Sequence, residues 1–232
     1  MSLEVKKSIT RYIPKIILGI VGILFIVAII RVALWEEQYY REKEGSEREV
    51  PEVVGDVSYE SEEVDETEVT EAQKVEYTVP ADQPRYLTIE KLGIKNARVM
   101  SVGVNSKGQM LTPRSIYDAA WYNKSAKPGT GGTAIFDGHS GVGGSKGIFG
   151  RLGELTAGDE ITIEMGNGAI YTYRVYDNFV VSLDEANKKM SMLQVSPVEG
   201  QESISIITCT GEYSLKQKTY LSRQFLRATR TN

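Results

Sequence analysis

Hydrophobic and polar positions change pattern twice along the chain. Ile16 to Ile30 is an unbroken apolar run (I-I-L-G-I-V-G-I-L-F-I-V-A-I-I), and Val32 to Trp35 extend it past Arg31 to about the 20 residues needed to cross a bilayer. Its central turns have no polar face, which argues against a helix buried in a soluble core. Between Glu36 and about Gln83 apolar residues stand isolated among acidic ones, as in E-S-E-E-V-D-E-T-E-V-T-E. High charge with low hydrophobicity predicts a disordered, self-repelling and extended segment. From Arg85 onward the chain consists of short runs rich in β-branched and aromatic residues, punctuated by Gly, Pro and Asn.

Within that last region Tyr86 to Glu90, Arg98 to Val104, Thr133 to Phe136, Ile161 to Met165, Ala169 to Val181, Ser203 to Thr208 and Tyr220 to Ala228 read as strands. Asn105 to Gly108 reads as a turn, Asn167-Gly168 as a hairpin turn, and Leu183 to Met190 as a brief helix. Many short strands with little helix predict an all-β closed barrel or sandwich rather than an α/β sheet. The expected organisation is a cytoplasmic N-terminus (1–15), a transmembrane anchor (16–35), an acidic disordered stalk (36–83) and a folded domain (84–232).

Charge gives this arrangement a direction. Lys6, Lys7, Arg11 and Lys15 precede the apolar run and Glu36 and Glu37 follow it, so the N-terminus is expected inside and the bulk of the chain outside the cell membrane. No convincing A-x-A-like cleavage site follows, which favours an uncleaved anchor over a signal peptide. The formal charge of −4 hides about −13 between Glu36 and Asp82 and about +5 from Gln83 onward, a split that separates a solvated spacer from a folded domain. There is no dense Lys/Arg cluster mixed with aromatics, so a nucleic-acid partner is not supported. Hydrophobic residues at 41% and charged residues at 25% exclude wholesale disorder but not an enzyme or a binding module.

The chain holds one cysteine and one histidine. His139 lies in F-D-G-H-S-G and Cys209 in I-I-T-C-T-G-E, each at the end of a predicted strand, where loops can open around a substrate. A cysteine nucleophile needs thiolate character, and a neighbouring imidazole can favour it and later protonate a leaving amine. Acyl transfer develops negative charge on the carbonyl oxygen, which a guanidinium can stabilise. Arg223, on the predicted last strand, is the candidate donor. Arg227 competes with it, and alternation puts both on one face.

Gly138-His139 followed by a Gly-rich loop, then I-T-C-T-G, then S-R-Q-F-L-R-A resembles the sortase pattern. The resemblance extends from Tyr86 to Thr229 and includes W-Y-N-K-S-A-K-P-G-T-G-G-T-A-I-F-D-G-H and G-I-F-G-R-L-G-E-L-T-A-G-D-E-I. It implies a closed eight-stranded sortase-type β-barrel with short helices. It also implies a cysteine transpeptidase in which Cys209 attacks the Thr carbonyl of an L-P-x-T-G-like signal on surface proteins. A thioacyl enzyme results, which an amine on a cell-wall precursor or a pilin lysine resolves. His139 would act as general acid and base, and Arg223 would hold the substrate and stabilise the oxyanion. Thr208 and Gly138 are expected to contact substrate, and Leu183 to Gly200 to correspond to the loop walling the signal groove.

Ile206 stands where such sequences often have Leu. The motif blocks lean toward class E-like or F-like groups and leave a class D-like role open. The resemblance implies no cofactor, and there is no carboxylate cluster of the kind some class A members use for calcium, so no metal is expected. The alternatives are a catalytically silent sortase-like envelope binding module, and a papain-like peptidase, whose usual order of Cys before His is reversed here.

Overall fold

A computed structural model describes residues 64–106, 108–142 and 145–231, together with Arg31. The expected membrane anchor and most of the expected stalk lie outside the described residues. Among the described residues no helix is long and apolar enough to cross a membrane.

Eight strands close into a barrel in the order β1-β2-β3-β4-β9-β10-β8-β7. They are β1 (Pro84–Ile89), β2 (Ile94–Val102), β3 (Ala119–Tyr122), β4 (Thr133–Asp137), β7 (Glu160–Met165), β8 (Ile170–Ser182), β9 (Ser203–Ser214) and β10 (Thr219–Arg230). A two-stranded ribbon, β5 (Gly141–Val142) and β6 (Ser145–Lys146), follows β4. Most neighbours are antiparallel, but β2–β3 and β4–β9 run parallel. All the strands read from alternation are present. The short β3 has four buried residues in a row and so carries no alternation signal.

Period-two alternation fills the interior with Leu87, Ile89, Val99, Trp121, Phe136, Ile161, Ile163, Tyr173, Val175, Ile204, Ile206 and Leu226. Asn167-Gly168 turns β7 into β8 as expected, with Gly168 at φ 82° supplying the left-handed residue that the turn needs.

Two patches outside the barrel are also buried. Helix α2 (Leu183–Lys189) and the 3-10 turn after it bring Ala186, Met190 and Leu193 onto Val181, Ile207 and Phe225. The segment after β2 brings Met110, with Val104 and Leu111 beside it, onto Val102, Ala120, Tyr122 and Ile135. Residues Ser203 to Thr208 are therefore buried on both faces of β9.

Residues 64–83 differ from the stalk expected over 36–83, because they run along the barrel wall. Helix α1 (Glu71–Glu76) buries no residue and is held by a capping box, in which Thr70 and Gln73 each bond the other's backbone N–H. The Tyr77 hydroxyl donates to the Val99 carbonyl at 2.6 Å, Arg85 donates to the Tyr77 carbonyl at 2.8 Å, and the Tyr86 hydroxyl bonds the Lys74 carbonyl. Asp65 forms a parallel bridge with Ser115, giving its N–H to Arg114 and accepting from Ile116, both at 3.0 Å. These bonds are local or directional and have no hydrophobic run behind them, so the acidic composition masked them.

Candidate active site

Cys209 and Arg223 are cross-strand partners on β9 and β10. Directly opposed residues on antiparallel strands hold their Cα atoms about 4.5 to 5.5 Å apart, so the ladder itself places the two residues side by side. Because Ile204 and Ile206 face the interior, alternation turns Ile207 and Cys209 outward, together with Phe225 and Arg223. The pair of Ile207 and Phe225 under α2 is thus an apolar wall two residues from the thiol. Cys209 is partly exposed, whereas Arg223 is 3% exposed.

The ladder slips just beyond this pair: Ser222 pairs with Thr210, but Tyr220 pairs with Tyr213. The extra residue is a β-bulge, a device that re-aims side chains next to active sites. Gly211, at φ 83°, accommodates it, and a Cβ there would stand 3.2 Å from Ser222. This is the physical content of the glycine in T-C-T-G.

His139 arrives from the other side of β9. It lies two residues past the end of β4, and β4 is parallel to β9, with Asp137 opposite Ile207. Its ring Nε2 lies 2.8 Å from the Pro113 carbonyl. Since a carbonyl only accepts, Nε2 carries the hydrogen in that contact, and Nδ1 is the nitrogen left to exchange a proton. The His139 backbone carbonyl accepts from the Phe149 N–H at 2.9 Å, which fixes the turn that carries the ring.

Gly138 and Thr208, expected as substrate contacts, are buried and bonded to each other: the Thr208 hydroxyl donates to the Gly138 carbonyl at 2.7 Å. A Cβ on Gly138 would meet Phe149 at 2.7 Å. The two residues tie the exit of β4 to β9 rather than face the surface. Arg223 gives its N–H groups to the Tyr220 and Ser222 carbonyls at 2.9 and 3.0 Å and to the Thr219 hydroxyl at 3.2 Å, all neutral acceptors. Arg227 instead sits opposite Ser205 and forms a two-pronged ion pair with Asp177. Geometry separates two arginines that share a face.

Asp137 was not singled out from sequence. It stands partly exposed at the end of β4, opposite Ile207 and two residues before His139. Burial pushes its pKa up, and the lowering influence of His139, Thr112, Gly138 and Arg223 only partly offsets it. The available signal was an acidic residue ending a strand that is otherwise T-A-I-F. Among the described residues no cluster of His, Cys, Asp or Glu has the arrangement to hold a metal ion.

A thiol on β9, a guanidinium opposite it on β10 and an imidazole at the exit of the adjoining β4 are the groups that acyl transfer through a thioester uses. No curated protein matches the chain. Among solved structures it is similar to sortase C1 from Streptococcus agalactiae, 24% identical over 71% of this chain and 78% of that one, with a TM-score of 0.48. It is also similar to sortase A from Corynebacterium diphtheriae (23% identical, 66% and 63% covered, TM-score 0.46) and sortase C-1 from Actinomyces oris (20%, 64% and 73%, 0.46). A family model described as the Sortase domain matches residues 87–231, well over half of the sequence, and the chain belongs to the sortase family.

Proposed function

We propose that this protein is a membrane-anchored cysteine transpeptidase that cleaves an L-P-x-T-G-like sorting signal after Thr and joins the freed acyl group to an amine. Residues 16–35 hold it in the cell membrane with the barrel outside. The observation that carries the reading is the facing pair Cys209 and Arg223, with His139 on the adjoining strand exit.

In this reading the Cys209 thiol gives its proton to Nδ1 of His139, and the thiolate attacks the Thr carbonyl carbon. The oxyanion forms beside the Arg223 guanidinium, which stays charged throughout. The C–N bond breaks as the imidazolium passes its proton to the departing amine, leaving a thioester on Cys209. An acceptor amine then attacks that carbonyl and loses a proton to His139, the sulfur leaves as thiolate, and the imidazolium returns the proton to it. A pilin lysine and a cell-wall precursor are both acceptors of this chemical kind.

The test is mass spectrometry of the full chain in detergent, mixed with L-P-x-T-G-type peptides and a small amine. The expected product is the peptide cleaved after Thr and joined to the amine, with at least a 10³-fold loss in Cys209→Ala, on the order of removing a covalent nucleophile. Turnover that survives Cys209→Ala overturns the proposal. No turnover together with a thiol inert to alkylation points to a binding module instead.

A further inference from the structure

Asp65 and Glu66 are exposed, yet they bond to both stretches of backbone that flank His139. On one side lies 114–116. The Asp65 N–H donates to the Arg114 carbonyl, and the Asp65 carbonyl accepts from the Ile116 N–H, each at 3.0 Å. Pro113, the residue before that clamp, offers its carbonyl to His139 Nε2 at 2.8 Å. On the other side lies the β5–β6 ribbon that leaves the histidine turn. The Ser145 hydroxyl donates to the Glu66 carboxylate at 2.6 Å, and Ser145 pairs with Val142 in the ribbon.

The two sides are tied to each other and to the turn. Ile148 gives its N–H to the Ile116 carbonyl at 2.7 Å, Phe149 to the His139 carbonyl at 2.9 Å and Gly147 to the Ser140 carbonyl at 3.1 Å. The fit is close: a Cβ on Gly147 would stand 2.4 Å from the His139 carbonyl oxygen. A displacement of β6 is therefore passed to the backbone of His139 rather than absorbed.

Packing does not account for the clamp. Helix α1, a few residues on, buries no side chain, and a cleft of about 340 Å³ separates it from the barrel, with Glu68 and Lys74 on one wall and Arg98, Tyr117 and Ile148 on the other. A segment that bridges a cleft gains little apolar burial, so the bonds at its end add little to the core. Their effect falls on what they hold, the carbonyl that meets the ring and the turn that carries it.

We infer that Asp65 and Glu66 are positioning residues of the transfer reaction, holding the segment before β3 and the β5–β6 ribbon on either side of His139 so that its ring stays placed for proton exchange. The inference rests on the reading of His139 as the proton carrier. An imidazole held at one nitrogen by a backbone carbonyl keeps its orientation only while that carbonyl is fixed, and a misplacement of about 1 Å costs on the order of 10²-fold in rate.

Backbone hydrogen exchange of the substrate-free full chain, read by mass spectrometry, tests the linkage. Glu66→Ala and Ser145→Ala are each expected to speed exchange over 147–149 about fivefold, the worth of one hydrogen bond, and the double variant no more than either alone. Glu66→Gln keeps an acceptor and should exchange like wild type. Asp65→Pro removes the N–H that Arg114 accepts and should speed exchange of the Ile116 amide. In turnover of peptide and amine, the two alanine variants should lower kcat about threefold to fivefold and Asp65→Pro about tenfold, with KM nearly unchanged and Glu66→Gln close to wild type.

Unchanged exchange over 147–149 in both alanine variants overturns the inference, and so does a kcat within about twofold of wild type in all three clamp variants, or a loss that appears in KM alone. Should Asp65→Pro fail to fold, the Glu66 and Ser145 variants decide, because both side chains reach the surface. The exchange measurement needs no substrate. A wild-type chain that turns over no peptide counts against the proposed function, and exchange alone then decides whether the clamp supports the His139 turn.

Discussion

The parallel pair β4–β9 ends in a carboxylate at either end, and the two are built differently. Thr133 faces Ser203 at one end, and Glu202 directly precedes Ser203; Asp137 faces Ile207 at the other. Glu202 has a side chain 8% exposed and receives the N–H groups of Gly129 and Gly131 at 2.8 and 2.9 Å, the Tyr173 hydroxyl at 2.6 Å and Arg230 at 3.1 Å. Burial alone would push it up, but those donors outweigh burial and hold Glu202 below the usual carboxylate range. At Asp137 burial wins, and its pKa is pushed up. A carboxylate saturated with donors fastens loops together. One in which burial wins is protonated more readily, a perturbation of the kind found at reacting centres.

If that contrast is right, Glu202→Ala should do the most damage to the fold. It removes the ion pair with Arg230 and takes the acceptor from two loop N–H groups, a loss of about 2 to 4 kcal/mol in unfolding free energy. Thermal melting of the full chain checks it, and kcat should fall by less than threefold, since Glu202 is at the far end of the strand pair. A large kcat loss with little melting change would erase the distinction between the two ends.

The two ends should also respond oppositely to pH. A carboxylate held below its ordinary value adds stability above that value and loses it as pH falls through the folded pKa. A carboxylate pushed above its ordinary value adds stability below it and loses it as pH rises through the folded pKa. Melting of Glu202→Gln should therefore depend less on acid than wild type below about pH 4.5. Asp137→Asn should melt about 2 to 4 °C higher near pH 7, the equivalent of roughly 1 kcal/mol, and converge with wild type in acid. The smallest expected effect is that of Tyr173→Phe, which removes one donor from Glu202 and should cost about 1 kcal/mol by the same melting measurement. An effect as large as that of Glu202→Ala would mean that the hydroxyl, rather than the loop N–H groups, carries that end.

The barrel was legible in the sequence because its strands alternate. Ile161, Ile163 and Met165 are buried while Thr162 and Glu164 are not, and the reading follows from a period of two. Cys209 and His139 were legible because each is unique in the chain and lies in a recognisable motif. The docked segment at 64–83 was not, since a capping box and a few hydrogen bonds leave no hydrophobic trace. Asp137 was missed because a single acid at a strand end normally reads as solvated. Nothing local reveals that its surroundings push its pKa up.

What the sequence determined by itself is what short-range chemistry controls: the order of strands along the chain, the turn at Gly168, the identities of the thiol and the imidazole, and the change of net charge near residue 83. The tertiary structure decided everything that depends on register. Register set Arg223 rather than Arg227 opposite Cys209, turned Thr208 and Gly138 toward each other, and put the Pro113 carbonyl on the His139 ring. Residues that meet across the β9–β10 ladder, or from 70 positions apart as Gly138 and Thr208 do, are brought together only when the barrel closes, because hydrogen bonding between strands, not proximity along the chain, chooses their partners.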